Sequence, residues 1–123
     1  MLDEIQEYIA IGQVVMNRVA NPTYPLSVKA VILQDNQFSC FNENDPNNDK
    51  IFFFLMNQTP LKTYQVMLSV AVGVIGNLYA DLVHGAMNYV AKWFYEEKKG
   101  TGHWSQRMRI AFKAGGHVFL KEP

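Results

Sequence analysis

The sequence predicts an α+β domain that is mainly helical and carries a small antiparallel β-sheet near its C-terminus. An apolar stripe with helical spacing covers residues 3–19, and a second apolar segment of low charge covers residues 59–79. From residue 107 onward, apolar and charged side chains alternate before a pair of glycines. Apolar residues make up 49% of the 123 residues, which is enough for a core in one domain spanning residues 1–123.

The first predicted helix, residues 3–19, follows from its periodicity and its charges. Asp3 and Glu4 stand at the positive end of the helix dipole and Arg18 at the negative end. We expect Arg18 to tie this helix to a loop carbonyl or carboxylate. The apolar residues recur every three or four positions on one stripe: Ile5, Tyr8, Ile9, Gly12, Val15, Met16 and Val19.

Two further helices are expected in the middle of the chain. A short one begins at residue 25 or 26 and ends by residue 34, after two prolines that turn the chain. A longer one follows Thr59-Pro60, an N-cap with proline in the first turn, and runs to about Tyr79. Its low charge predicts a central core helix that is enclosed on most sides. Its predicted inward residues are Tyr64, Met67, Leu68, Ala71, Val72, Ile75 and Leu78.

The last third of the chain predicts the sheet. Residues 85–90 favour a short strand or extended segment. Apolar side chains alternate with basic or small ones over residues 107–113, Gly115-Gly116 follows, and an apolar run resumes at 117–120. This pattern predicts a hairpin, because glycine takes the positive φ that a tight turn requires.

Composition and charge exclude several classes of protein. Eleven basic and eleven acidic residues give a formal net charge of zero, whereas nucleic-acid binders carry an excess of Lys and Arg. The single Cys40 has no partner for a disulfide within the chain. The most apolar run, residues 66–80, is shorter than the about 20 apolar residues of a spanning helix. No signal peptide is readable. Because the net charge is zero and the apolar run is short, we expect neither nucleic-acid binding nor membrane insertion.

Groups suited to binding concentrate in a loop at residues 36–41. The run Gln-Phe-Ser-Cys-Phe at 37–41 combines an amide, two rings, a hydroxyl and a thiol, which together with the end of the first helix could line a groove for a sugar chain. For Cys40 a buried thiol is favoured over a nucleophile, because no histidine stands in a recognisable partner pattern. The three histidines are too widely spaced for a zinc site, so we expect no metal and no cofactor.

A series of motifs in order makes the chain similar to a known family. The motifs are Gly-Gln-Val-Val-Met-Asn-Arg-Val at 12–19, Asn-Gln-Phe-Ser-Cys-Phe at 36–41, Gly-Ala-Met-Asn-Tyr at 85–89, His-Trp at 103–104 and Gly-His-Val-Phe at 116–119. They span nearly the whole chain. With them the chain resembles the catalytic domain of SleB-type cell-wall hydrolases, known from bacterial spore-cortex-lytic enzymes and phage lysis genes.

The resemblance implies a lysozyme-like fold and peptidoglycan as the substrate. It further implies a lytic transglycosylase, which cleaves the β-1,4 bond between N-acetylmuramic acid and N-acetylglucosamine. One carboxyl suffices for that reaction, because the 6-hydroxyl of the muramic acid attacks in place of water and returns the proton to the same carboxyl. In agreement with this scheme, no two carboxylates in the sequence stand out as a catalytic pair.

The resemblance also shows where this chain departs from the family. The family's acidic motif, Glu-Ala-x-Gly-Glu, would precede Met1, so the domain is expected to start late or to have lost its acid. We therefore expect weak activity or none from the chain as given. Asp3 and Glu4 are the nearest carboxylates, and Glu4 is the catalytic candidate. The family pattern here is Gly-Ala-Thr-His-Tyr-His. In this chain Met87 and Asn88 replace Thr-His and Val90 replaces the last His, whereas the tyrosine is kept as Tyr89.

Other residues are candidates for binding the substrate. Tyr89 is the strongest, and Gln37 either bonds an acetamido group or braces a neighbouring loop. Trp104 either stacks on a sugar ring or packs internally. A structural hydrogen bond is favoured over proton transfer for His117. The substrate-binding candidates are Gln37, Phe38, Ser39, Tyr89, Trp104 and His117.

Several functions remain open at this stage. The chain is a lytic transglycosylase, a muramidase that uses water, or a catalytically impaired module that binds peptidoglycan through a retained groove. In each case the partner is the glycan strand and the chain is expected to be a monomer. The resemblance to phage enzymes implies a phage lysis protein, made in the host cytoplasm and acting at the cell wall.

Overall fold

The computed structural model describes residues 2–34 and 61–123 of the chain. Within these ranges the predicted α+β class is confirmed. The loop at 36–41, Cys40 and the Thr59-Pro60 cap lie outside the described residues. The elements in chain order are α1 (Leu2–Val19), α2 (Val28–Ile32), α3 (Leu61–Ile75), β1 (Asn88–Ala91), α4 (Lys92–Glu97), a 3₁₀ helix (Trp104–Arg107), β2 (Arg109–Ala114) and β3 (His117–Lys121).

Helix α1 is the central element of the described fold, and its length agrees with the prediction. On one side Ala10 and Val14 are fully buried against a cluster that includes Phe119 of the sheet. On another side Ile9 packs with Val70 and Val74 of α3. The helix therefore separates two apolar clusters, so that a shift of α1 would disturb both the sheet and α3.

Helix α3 differs from the prediction in its end and in its packing. It ends at Ile75 because Asn77 adopts a left-handed φ of 55° and Leu78 N–H donates to Gly73 O at 2.8 Å, as in a Schellman cap. The enclosed core helix was a wrong prediction, because Val70, Gly73 and Val74 are the buried residues of the described part of α3. The exposed residues, all predicted to face inward, are Met67, Leu68, Ala71, Val72, Ile75 and, beyond the helix, Leu78; the side chain of Tyr64 lies outside the described set. A helix that is apolar all round carries no sequence signal for the face it buries.

The sheet confirms the predicted hairpin, and the segment predicted to be extended before it provides the third strand, β1. The three strands are antiparallel in the order β1-β3-β2. Ala114 pairs with His117, so that Gly115 and Gly116 form a two-residue turn, and Gly115 takes a φ of 54°. Strand β3 is in the middle, and its Phe119 and Leu120 are fully buried.

The C-terminal end of α1 is fixed to the segment that enters β1. The buried Arg18 donates from Nε to Met87 O at 2.7 Å, and its guanidinium lies over the Tyr24 ring at 5.3 Å. Asn17 donates to Ala86 O at 2.9 Å. Burial lowers the pKa of the Arg18 guanidinium, although the ring hydroxyls of Tyr24 and Tyr89 oppose the shift. The predicted tie between Arg18 and a loop carbonyl is thus confirmed.

Helices long and apolar enough to cross a bilayer are absent from residues 2–34 and 61–123.

Candidate active site

The N-terminal end of α1 meets the β2–β3 turn through two carboxylates. Asp3 and Glu7 are one helical turn apart and therefore share a face of α1. Asp3 Oδ2 accepts the N–H of Gly115 at 2.9 Å, and Glu7 Oε2 accepts the N–H of Gly116 at 2.6 Å. The turn presents these consecutive amides to the helix because Gly115 has a left-handed φ.

Glu7 also binds the imidazole that follows the turn. Glu7 Oε2 lies 3.0 Å from His117 Nδ1, and the two side chains are 15% and 31% exposed. The Tyr89 ring stands edge-on to His117, with ring centroids 5.2 Å apart. Tyr89 pairs with Phe119 across β1 and β3, which makes it a diagonal neighbour of His117. We call Asp3, Glu7, Tyr89, His117 and the Gly115–Gly116 turn the junction site.

The junction site combines groups that suit proton transfer. When Nδ1 of His117 donates to Glu7 Oε2, Nε2 is left for another partner. The Glu7 carboxyl is mostly removed from solvent and bonded to an imidazole, which holds it in one position for acid–base chemistry. In the described chain no three His, Cys, Asp or Glu side chains come together as metal ligands.

The structure brings some of the predicted site residues together and separates others. Tyr89 and His117 are neighbours in the junction site. Glu4, the predicted acid, is exposed on the first turn of α1, and within residues 2–34 and 61–123 it makes no hydrogen bond or ion pair. Trp104 lies on the 3₁₀ helix, where its ring packs on His103. Gln37, Phe38 and Ser39 lie outside the described residues.

Sequence reasoning missed Glu7, and it named Asp3 for the helix dipole and, with Glu4, as one of the carboxylates nearest to the missing acid. Both residues lie on the polar face of an amphipathic helix, which is the pattern of an ordinary solvated face. The available signal was their spacing of four residues together with a Gly-Gly turn able to donate two adjacent amides. That signal becomes informative only once the N-terminal end of α1 is known to lie against the β2–β3 turn.

Gly115→Ala is expected to displace Glu7 and to destabilise the hairpin. A Cβ at Gly115 would overlap the Glu7 carboxylate, and the residue would retain a positive φ. Gly100→Ala is the matched control, since Gly100 has a φ of 77° but nothing within 4 Å of the added atom. We expect Gly100→Ala to lower the free energy of unfolding by about 1 kcal/mol and Gly115→Ala by roughly twice as much. Urea unfolding of both variants measures the difference, and equal losses would contradict the contact.

Comparison with solved structures defines the class of the fold. The catalytic domain of the Bacillus cereus SleB protein superposes with a TM-score of 0.62 at 20% identity, covering 93% of this chain and 73% of that one. The catalytic domain of the germination-specific lytic transglycosylase SleB from Bacillus anthracis gives a TM-score of 0.61 at 20% identity, covering 93% and 77%. The fold is therefore the lysozyme-like α+β fold of SleB catalytic domains, as predicted.

Comparison of the sequence with family profiles identifies the family of this chain. The profile of the Cell Wall Hydrolase family matches residues 3–120, so the chain belongs to that family. No functionally curated protein sequence matches the chain significantly. The SleB-type resemblance is thus confirmed, and the class of enzyme is a peptidoglycan-degrading cell-wall hydrolase.

Proposed function

We propose that this cell-wall hydrolase is a lytic transglycosylase that cleaves the β-1,4 bond between N-acetylmuramic acid and N-acetylglucosamine. The observation that carries the proposal is the contact between Glu7 and His117 in the junction site. It provides one carboxyl, mostly shielded from solvent, next to a tyrosine and an imidazole. Ordinary glycosidases use two carboxyl groups at a defined separation from each other. The proposed reaction uses one carboxyl and therefore needs no such pair.

Glu7 is the described carboxyl best placed for this chemistry. In the proposed step a protonated carboxyl donates its proton to the glycosidic oxygen, and the bond from that oxygen to C1 of the muramic acid breaks. The O6 hydroxyl of the same sugar attacks C1, and its proton passes to the carboxylate. The products are a 1,6-anhydromuramic end and a free 4-hydroxyl, with no water consumed. The N–H of Gly116 and the ring of His117 hold the carboxyl in place.

A second candidate function is a peptidoglycan-binding module with impaired catalysis. The specific observation in its favour is that hairpin amides already engage Asp3 and Glu7, while Glu4 is exposed. Carboxylates that hold a turn in place have a structural role that does not require catalysis. The two functions share the substrate and differ in whether the glycan bond is broken.

Digestion of purified peptidoglycan sacculi distinguishes these functions. We expect the chain to release muropeptides with 1,6-anhydromuramic ends, identified by liquid chromatography and mass spectrometry. Reducing muramic ends would instead identify a muramidase that uses water. Sedimentation with sacculi without release of fragments would identify the binding module and contradict the proposed reaction.

We further propose that the protein acts in phage-mediated lysis, as a monomer made in the host cytoplasm and directed at the cell wall. The support is the family resemblance, which includes phage lysis proteins. Expression inside a bacterium, with and without a membrane pore, tests the route: lysis only with the pore supports it. Lysis without a pore would contradict it.

A further inference from the structure

Four aromatic rings form a connected series on α4 and the 3₁₀ helix. Trp93 meets Phe94 edge-on with centroids 5.8 Å apart, and Phe94 meets His103 edge-on at 5.2 Å. His103 then packs on Trp104 at 5.2 Å with a tilt of 37°. We call Trp93, Phe94, His103 and Trp104 the aromatic platform.

The fold does not need the two tryptophans of the platform for its core. Trp93 is 69% exposed and Trp104 is 42% exposed, although tryptophan is among the residues that gain most from burial. Helix α4 contains no buried residue at all. Two exposed indoles joined through the half-buried rings of Phe94 and His103 indicate a binding surface rather than packing.

The platform is nevertheless held firmly in place. His103 Nδ1 lies 2.9 Å from Ser105 Oγ, and Ser105 is fully buried. Gln106 Nε2 donates to Tyr95 O at 3.0 Å, which ties the 3₁₀ helix to α4. A rigid aromatic surface loses little conformational entropy when a ligand binds to it.

The platform adjoins the junction site through the backbone. Helix α4 begins directly after Ala91, which pairs with His117 across β1 and β3. Lys92 N–H donates to Gly116 O at 2.8 Å, and the N–H of the same Gly116 donates to Glu7. A polymer lying in the junction site therefore has the platform as its neighbouring surface.

We propose that the aromatic platform is a further binding subsite for the glycan strand, with Trp93 and Trp104 stacking on its amino-sugar rings. This inference rests on the proposed function, since it takes the same polymer as the ligand. Pyranose rings have flat faces of C–H groups that match the faces of exposed indoles, while their rims need polar partners. A membrane surface fits less well, because Lys92, Lys98 and Lys99 exceed Glu96 and Glu97 by only one charge. Anionic lipids attract clusters of about four to eight basic residues.

Intrinsic fluorescence tests the platform directly, because Trp93 and Trp104 are the two tryptophans of the chain. Soluble N-acetylglucosamine oligomers and peptide-free glycan strands are titrated into the full chain. We expect a blue shift of the emission and saturable binding. Trp93→Phe and Trp104→Phe leave one tryptophan each, and both single reporters are expected to respond.

Alanine variants then measure the contribution of each ring. Trp93→Ala and Trp104→Ala are each expected to weaken glycan binding about tenfold, the effect of losing one stacked ring. Ile110→Ala, which removes a comparably exposed apolar side chain from β2, is expected to bind as the unsubstituted chain does. Circular dichroism confirms that all three variants fold.

The outcomes separate this inference from the proposed function. Glycan binding with a blue shift but without anhydromuropeptide release supports the platform and contradicts the proposed cleavage. Cleavage of sacculi with unchanged glycan affinity in both alanine variants overturns the platform and leaves the cleavage intact. Binding to anionic phospholipid vesicles that Trp93→Ala abolishes, without any glycan response, would assign the surface to a membrane and overturn the inference.

Discussion

Glu7→Gln is expected to reduce the release of anhydromuropeptides from sacculi by about 100-fold. The amide oxygen of glutamine still accepts the N–H of Gly116, so the turn stays in place. The amide does not donate and recover a proton as a carboxyl does, and general acid–base groups typically contribute factors of about 10² to 10⁴. Product release over time, measured by mass spectrometry, gives the ratio of rates.

Three further substitutions make this result specific. Glu122→Gln is the matched control, because it makes the same chemical change on an exposed residue at the far end of β3. It is expected to keep the original rate. Asp3→Asn and Glu4→Gln test the neighbouring carboxyls. Loss of activity in Glu4→Gln, with Glu7→Gln unaffected, would restore the sequence-based candidate and reduce Glu7 to a structural role.

Phe119→Ala is expected to have the largest effect on stability. Phe119 is fully buried in the middle strand, where its ring lies 5.5 Å from that of Tyr89 and 6.1 Å from that of Phe112. Truncation of a buried phenylalanine costs about 3–5 kcal/mol, against a total stability of about 5–15 kcal/mol for an ordinary domain. Urea unfolding followed by circular dichroism measures the loss.

Two variants keep this test informative. Ile110→Ala truncates a side chain on β2 that is 42% exposed, and it is expected to change the free energy of unfolding by less than about 0.5 kcal/mol. Phe119→Leu leaves a smaller cavity and provides a measurable value if Phe119→Ala does not fold. A loss below 1 kcal/mol for Phe119→Ala would mean that the ring is not part of a close-packed core.

Elements with a strong local signal could be predicted from the sequence. The helical spacing of apolar residues predicted the extent of α1, although the fully buried Ala10 and Val14 lie outside the predicted stripe. The Gly115–Gly116 turn has a backbone requirement that few residues meet. Helix α3 was harder because its apolar residues surround the axis. Its end depended on Asn77, whose left-handed φ is a property of one residue rather than of a pattern.

The candidate site was predictable only in part, because its residues come from distant parts of the chain. Tyr89 and His117 were found through family motifs, and the structure places them side by side. Glu7 belongs to no such motif and gains its role from a turn that follows it by 109 residues. Trp93 was also missed. Helix α4 was not predicted, and the exposed ring of Trp93 belongs to no periodic pattern of apolar residues.

The bonds from Asp3 to Gly115 and from Glu7 to Gly116 close loops of 112 and 109 residues. Contacts of such long range form late in folding, after nearly all of the chain between them is in place. During synthesis the first helix therefore leaves the ribosome without the turn that completes it. A site that depends on these bonds is complete only after residue 116 has been synthesised and the hairpin has folded onto the first helix.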